Sequence, residues 1–243
     1  MLGLGNSIPL SSVILQAPVI GEIAPLRLKI WLKRGEGQTT SSGALTAWAS
    51  TSPAAANFAQ ARAANQPSIS GDEVTFSSSS TSSMSITSSG LGAFTQFTLM
   101  VVLNPNESAT LSDEYIIGGS STDMLQVYTA GGASKIRLTM NGTASNMVGS
   151  SGLATGDNDT LLTVQRAPTT GDLTMRINGV EVATGTSNIS DELDVFAIGS
   201  NIGSAGSDHY DGQINEIVMY DLNLTGNNLT NAENDVMNRS NIS

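Results

Sequence analysis

Residues 172–186 read DLTMRINGVEVATGT, and residues 193–224 read LDVFAIGSNIGSAGSDHYDGQINEIVMYDLNL. In the first piece Leu173, Met175 and Ile177 alternate with Thr174, Arg176 and Asn178, the period of two that turns one face of a strand to a core and the other to water. Asn178-Gly179 comes next, the dipeptide a type I′ turn selects because both of its central residues need positive φ. Val180 to Thr184 is then the return strand of a predicted hairpin. In the second piece Val195 to Ile198 reads as a strand and Tyr210-Asp211-Gly212 as a corner. Gln213 to Tyr220 reads as a strand with Ile214, Glu216 and Val218 opposite Asn215, Ile217 and Met219. It is apolar on much of both faces, as in the middle of a sandwich sheet.

Working back from this region, the same short-strand rhythm recurs. Leu26 to Leu32 alternates Leu26, Leu28, Ile30 and Leu32 against Arg27, Lys29 and Trp31. Glu73 to Phe76 and Met84 to Thr87 flank the serine run Ser77 to Ser80, which reads as a loop. Phe97 to Leu103 (FTLMVVL) is the most apolar strand and is expected at the centre of the core, ended by Asn104-Pro105-Asn106. Tyr115 to Gly118, Met124 to Tyr128, Lys135 to Met140 and Thr160 to Gln165 continue with Gly and Asn turn signals between them, the pattern of an all-β domain. Only Asn227 to Asn238 reads as a helix, with Leu229, Ala232, Val236 and Met237 at near-helical spacing.

Residues 1–24 have no regular period, yet they carry Leu2, Leu4, Ile8, Leu10, Val13, Ile14 and Leu15. Floppy linkers are poor in such side chains. The segment therefore reads as an extended arm that lies along a partner by strand addition or in an apolar groove, with residues 25–243 as one domain.

The net charge of −11 excludes a nucleic-acid or anionic-membrane partner as an expectation, since binding a polyanion needs clustered Lys and Arg. Charged residues are 13% of the chain against a typical ~25%. The resulting neutral polar surface suits a molecule packed against neighbours. With no cysteine there is no disulfide framework. The first residues lack the basic start and unbroken apolar run of a secretion signal, because no Lys or Arg precedes Arg27, and Pro9 and Pro18 interrupt the segment.

The run Ile177-Asn178-Gly179, then Phe196-Ala197-Ile198-Gly199, then Tyr210-Asp211-Gly212-Gln213-Ile214-Asn215-Glu216-Ile217-Val218-Met219-Tyr220, closing on Leu224-Thr225, resembles the laminin-G-like, concanavalin-A-like jelly roll. The stretches Trp31-Leu32-Lys33, Leu45 to Ser50, Ala59-Gln60 and Gln66-Pro67 resemble a pattern in bacterial and phage proteins of that group. There an Asp follows each Trp, where this chain has Lys33 and Ser50. The resemblance implies an antiparallel β-sandwich, preceded by the arm and closed by a short C-terminal helix. The fold hosts lectins, hydrolases, adhesive modules and coat components alike, so function has to come from the site.

Glu192-Leu193-Asp194-Val195 is similar to the superfamily's glycoside-hydrolase motif, which sets two carboxylates ~5 Å apart on one strand face for retaining hydrolysis. Its second Glu is replaced by Ala197, so catalysis is not expected. His209 is the only histidine and reads as a surface residue. His209 and Tyr210 are the candidate glycan contacts, and Trp31, Trp48 and Tyr128 further candidates for stacking. Asp208 and Asp211 are the candidate ligands for Ca²⁺, which takes oxygen donors; no other cofactor is expected. Taken together, the sequence points to a non-enzymatic virion structural protein on the virion surface. It reads as a phage capsid decoration (cement) protein, or a tail-associated component, that packs as a homo-oligomer on capsid or other virion proteins through its arm and one sandwich face. The alternative is a carbohydrate-binding or adhesive module for a cell-surface glycan, calcium-dependent if Asp208 and Asp211 hold the ion.

Overall fold

A computed structural model describes residues 18–86, 91–106, 114–119, 122–130, 133–148, 158–201 and 209–243. The expected arm residues from Leu2 to Leu15, and Asp208, lie outside the described residues. In chain order the strands are β1 (Leu28–Leu32), β2 (Gln38–Ser41), β3 (Ala44–Ala49), β4 (Asn57–Ala59), β5 (Ser68–Ser70), β6 (Glu73–Phe76), β7 (Met84–Ile86) and β8 (Phe97–Pro105). They continue as β9 (Glu114–Gly118), β10 (Met124–Ala130), β11 (Ala133–Met140), β12 (Thr143–Val148) and β13 (Thr160–Arg166). The last four are β14 (Asp172–Ile177), β15 (Val180–Thr186), β16 (Ala197–Ile198) and β17 (Gly212–Tyr220), followed by helix α1 (Gly226–Arg239).

Every ladder pairing is antiparallel. One layer runs β1-β17-β8-β13-β14-β15, and the other β12-β11-β10-β9-β16-β7-β4-β3-β2. β5 and β6 join the layers by pairing with β3 and β17. Phe97, Leu99, Val101 and Leu103 of β8 share one buried cluster with Ile116, Leu125, Val127, Ile136 and Leu138, whose strands never pair with β8. The layers therefore stack face to face, as in a sandwich. The alternate β8 residues, Met100 and Val102, enter a second cluster with Val218, Tyr220 and the helix residues Ala232 and Val236. β8 is buried on both faces because α1 covers the outer one, which makes it the central strand expected from its composition. Each such apolar side chain contributes roughly 1.5–3 kcal/mol when fully buried. Among the described residues no helix is long and apolar enough to cross a membrane.

The predicted hairpin forms over β14 and β15, with Asn178 at φ +48° and Gly179 at +76°. The predicted helix forms and extends by one residue at each end. Four readings are corrected. The first strand begins at Leu28, because Pro25–Arg27 forms a 3₁₀ turn that leaves Leu26 84% exposed. β8 runs on through Pro105, which pairs with Gly212 at the strand end, where a missing N–H is tolerated. The strand expected from Val195 shrinks to Ala197–Ile198. A bulge between Ile214 and Glu216 resets the alternation of β17. Ile214, Ile217 and Met219 consequently share the inter-layer core, while Val218 and Tyr220 face the helix. The described end of the expected arm is part of the fold: Ile20 and Ile23 are buried in the helix-side cluster.

Candidate functional site

The corner before β17 is built inward. Tyr210 donates its backbone N–H to the Gly199 carbonyl at 3.0 Å and its hydroxyl to the Gln213 carbonyl at 3.4 Å, and the residue is 0% exposed. His209 makes a parallel bridge to Tyr115 of β9 and is 8% exposed. Both glycan-contact assignments are thereby corrected: a ring enclosed in the core has no face for a sugar, and His209 is a buried residue rather than a surface one. Burial, with Glu114, Asp211 and Asp159 nearby, also raises the Tyr210 phenol well above its ordinary pKa.

Asp211 is a linker. Its Oδ2 accepts from Asn106 Nδ2 at 3.1 Å, its Oδ1 from the Ser78 N–H at 3.3 Å, and its carbonyl from the Asn106 N–H at 3.0 Å. Its own N–H donates to Glu114 Oε2 at 3.0 Å. Gly212 sits at φ +145°, where a Cβ would lie 2.5 Å from the Asn104 carbonyl oxygen; only glycine lets the corner run this close to β8. Among the described residues no group of three or more His, Asp or Glu side chains is arranged to hold a metal.

The two tryptophan candidates also have partners within the fold. Trp48 is fully buried and donates Nε1 to the Lys33 and Glu36 carbonyls. Trp31 is half-buried, donates Nε1 to Glu216 Oε1 at 2.9 Å, and has Lys33 and Arg239 within 5.3 and 5.4 Å of its ring. The side chain of Tyr128 lies outside the described residues. Ser50 accepts the Trp31 N–H at 2.9 Å and so staples β1 to the neighbouring loop.

The Glu192-Leu193-Asp194 segment forms a rim pocket of about 210 Å³ with Thr122, Asp123, Asn141 and Ser190. Leu193 points inward and bridges to Phe94, so its neighbours face away from the core. Asp123 is 5% exposed and accepts the Asn141 N–H at 2.6 Å. Burial first, then Asp123 and Glu192, raise the Asp194 carboxyl above the usual range. Ala197, in place of the second motif acid, is 1% exposed between Ser85 and Gly118. The pocket is rich in hydrogen-bond acceptors and suits hydroxyl donors. Asp123 and Asn141 were not singled out in the sequence, because the strand register that brings them to this rim is not local.

The family model described as the Concanavalin A-like lectin/glucanases superfamily matches residues 77–230. Among solved structures, the chain is similar to domain 4 of an extracellular arabinanase from Geobacillus stearothermophilus, solved in complex with arabinotriose. The two share 16% identity and a TM-score of 0.55 over 88% of this chain and 98% of that one. The binding domain of Paraclostridial Mosquitocidal Protein 1 matches at 13% identity and TM-score 0.58, over 88% of this chain and 52% of that one. Trypanosoma rangeli sialidase in complex with sialic acid matches at 11% identity and TM-score 0.56, over 86% of this chain and 33% of that one. At these identities the likeness shows the fold alone. No match was found among curated proteins.

Proposed function

The chain belongs to the concanavalin A-like lectin/glucanases superfamily through residues 77–230, and from that premise we propose that it is a non-enzymatic structural protein of a virion. In this reading it is a phage capsid decoration protein, or a tail-associated one, that packs on a protein lattice through residues 1–17 and one sandwich face. The observation that carries the reading is the root of that segment. Ile20 is fully buried, its N–H donates to Asp235 Oδ2 at 2.8 Å, and its carbonyl accepts the Tyr220 hydroxyl at 2.7 Å. The chain that leads into the apolar residues Leu2 to Leu15 is therefore stitched to both β17 and α1. Seventeen residues can reach roughly 55 Å when extended, enough to cross onto a neighbouring subunit. Two further features support a packing role: the sparsely charged surface, and the burial of Trp48 and Tyr210 within the fold.

Deleting residues 1–17, which keeps the Ile20 anchor, is expected to leave the melting temperature unchanged and to abolish self-association and capsid binding. Light scattering and a capsid co-sedimentation assay read the two effects. A truncated chain that still saturates its lattice would overturn the proposal.

The rim pocket favours a second reading, a carbohydrate-binding or adhesive module, because Asp123, Glu192 and Asp194 offer acceptors to sugar hydroxyls. In that case glycan-array binding would be present in the full chain and reduced about tenfold or more by Asp194→Asn. Loss of binding in EDTA would add calcium held through Asp208 and Asp211; no array signal would remove this reading.

A further inference from the structure

The two edges of the helix-covered layer are finished differently. On the far side of β1, Ser50 Oγ accepts the Trp31 N–H at 2.9 Å, the Thr51 N–H donates to the Trp31 carbonyl at 2.9 Å, and Ser52 Oγ donates to the Lys29 carbonyl at 2.8 Å. A loop thus takes the groups that another strand would use. At the opposite edge β15 pairs with β14 alone, and among the described residues nothing bonds to its far side. In an antiparallel edge strand every other residue turns its N–H and C=O outward, and proteins ordinarily protect such a row with lysine, proline, shortness or a covering segment. β15 runs for seven residues as VEVATGT, without lysine or proline and with Glu181 as its only charge. The one irregularity in its pairing falls beside Val182 and leaves Ala183 to Thr186 in regular register. Val180 is 65% exposed, and Val182 and Ala183, packed against the inter-layer core, are only half-buried.

Residues 1–17 supply a matching half. They carry no charged side chain, the first in the chain being Glu22. Pro9 and Pro18 bound the run Leu10-Ser11-Ser12-Val13-Ile14-Leu15-Gln16-Ala17, every residue of which has an N–H to give to a ladder. Val13 and Leu15 fall on one face of a strand made from it, suited to cover Val182 and Ala183.

The position of the run decides whose edge it meets. Ala17 stands three residues before Ile20, which is bonded to α1 and β17, so a tether of about 10 Å holds the end of the run. Within the same chain β15 lies four strand steps from β17, roughly 19 Å at ordinary strand spacing. The helix also stands between them. Asp235 holds the Ile20 N–H, whereas Glu233, about 200° away around the helix, takes Arg176 of β14. A run tethered there does not reach far enough to lie along β15 of its own chain. We propose that residues 10–17 of one copy add as a strand to the free edge of β15 in a second copy. The inference rests on the packing role proposed for residues 1–17, and names its partner and its docking edge. Each copy gives one run and offers one edge, so the contact is head-to-tail and closes into a ring where the rotation between copies allows it.

Light scattering and amide hydrogen exchange on the full chain test this. The chain is expected to self-associate, with the outward amides of β15 protected in the assembly and exchanging fast once dilution returns it to monomer. Thr184→Lys with Thr186→Lys puts two charges on this edge at exposed positions, and is expected to weaken self-association about tenfold or more at an unchanged melting temperature. The same charges on exposed positions of β2, Thr39→Lys with Ser41→Lys, are expected to leave association as in the parent. The proposal is overturned by a full chain that stays monomeric at every concentration, or by β15 protection that survives dilution to monomer. Undiminished association in the β15 variant, or an equal loss in the β2 variant, overturns it as well. If deleting residues 1–17 still abolishes capsid binding in any of these cases, the packing role stands and only the docking edge falls; if the deletion changes nothing, the packing role itself falls.

Discussion

Arg239→Met is expected to lower the unfolding free energy by about 3–5 kcal/mol, the cost of leaving a buried carboxylate without its cation. Glu216 has a fully buried side chain and takes Arg239 Nη2 at 2.6 Å and Trp31 Nε1 at 2.9 Å. Arg239 also pairs with Asp235, the carboxylate that holds the Ile20 N–H, and lies over the Trp31 ring. One guanidinium therefore ties together β1, β17, the end of α1 and the segment before β1. Methionine keeps much of the side-chain volume and removes the charge. Adding Glu216→Gln to Arg239→Met should recover about half the loss, because a neutral amide still accepts from Trp31 and costs less to bury. Urea unfolding of the parent, the single variant and the double variant measures both steps. A single-variant loss under about 1 kcal/mol would mean that Glu216 is solvated once Arg239 is gone, and would remove this clamp from the account of the fold.

The strands were legible wherever alternation or an apolar run is local. β1, β6 and β14 carry apolar residues at period two, β8 and β13 show as apolar runs, and Asn178-Gly179 dictates its own turn. β2 and β3 escaped as strands because QTTS and ALTAWA are rich in Thr, Ser and Ala, and their pairing depends on a register that no single segment contains. The bulge in β17 escaped for a related reason: Asn215 accepts the Val74 N–H on its side-chain oxygen and donates its amide to Asp159, partners on β6 and just ahead of β13. Composition misled at His209 and Tyr210. A Gly/Ser-rich approach reads as a solvated loop, whereas the bridge to Tyr115 and the Gly199 carbonyl draw both residues under the sheet edge.

The candidate sites show the same limit more strongly. Glu192 and Asp194 could be named from their motif, but Asp123 and Asn141 reach that pocket only through the β9–β10 and β11–β12 connections. The missing motif acid at Ala197 could be read without any structure, because it is a matter of which residue stands at that motif position.

Glu114→Gln should raise stability above neutral pH and flatten its dependence on pH. Glu114 is 5% exposed and accepts the Asp211 N–H at 3.0 Å. Burial first, and the Asp211 carboxylate after it, push the Glu114 carboxyl up from 4.5 to about 7, with the Asp211 N–H opposing them. The folded chain therefore holds this proton more tightly than the unfolded chain does. The associated stability is fully present below pH 4.5 and is lost as pH rises through about 7. A shift of this size corresponds to about 3 kcal/mol between the two limits. Glutamine resembles the protonated acid: it keeps an oxygen for the Asp211 N–H and adds no charge beside Asp211, whose carboxylate still ties Asn106 and Ser78 to the corner. Urea unfolding at pH 5 and pH 8 should show the variant gaining on the parent by about 2–3 kcal/mol as the pH is raised. Because Asp194 and every other titrating group are common to both proteins, their contributions drop out of the difference. Parallel pH profiles would mean that Glu114 ionises in the folded corner as freely as in water, which its enclosure between β9 and the approach to β17 does not allow.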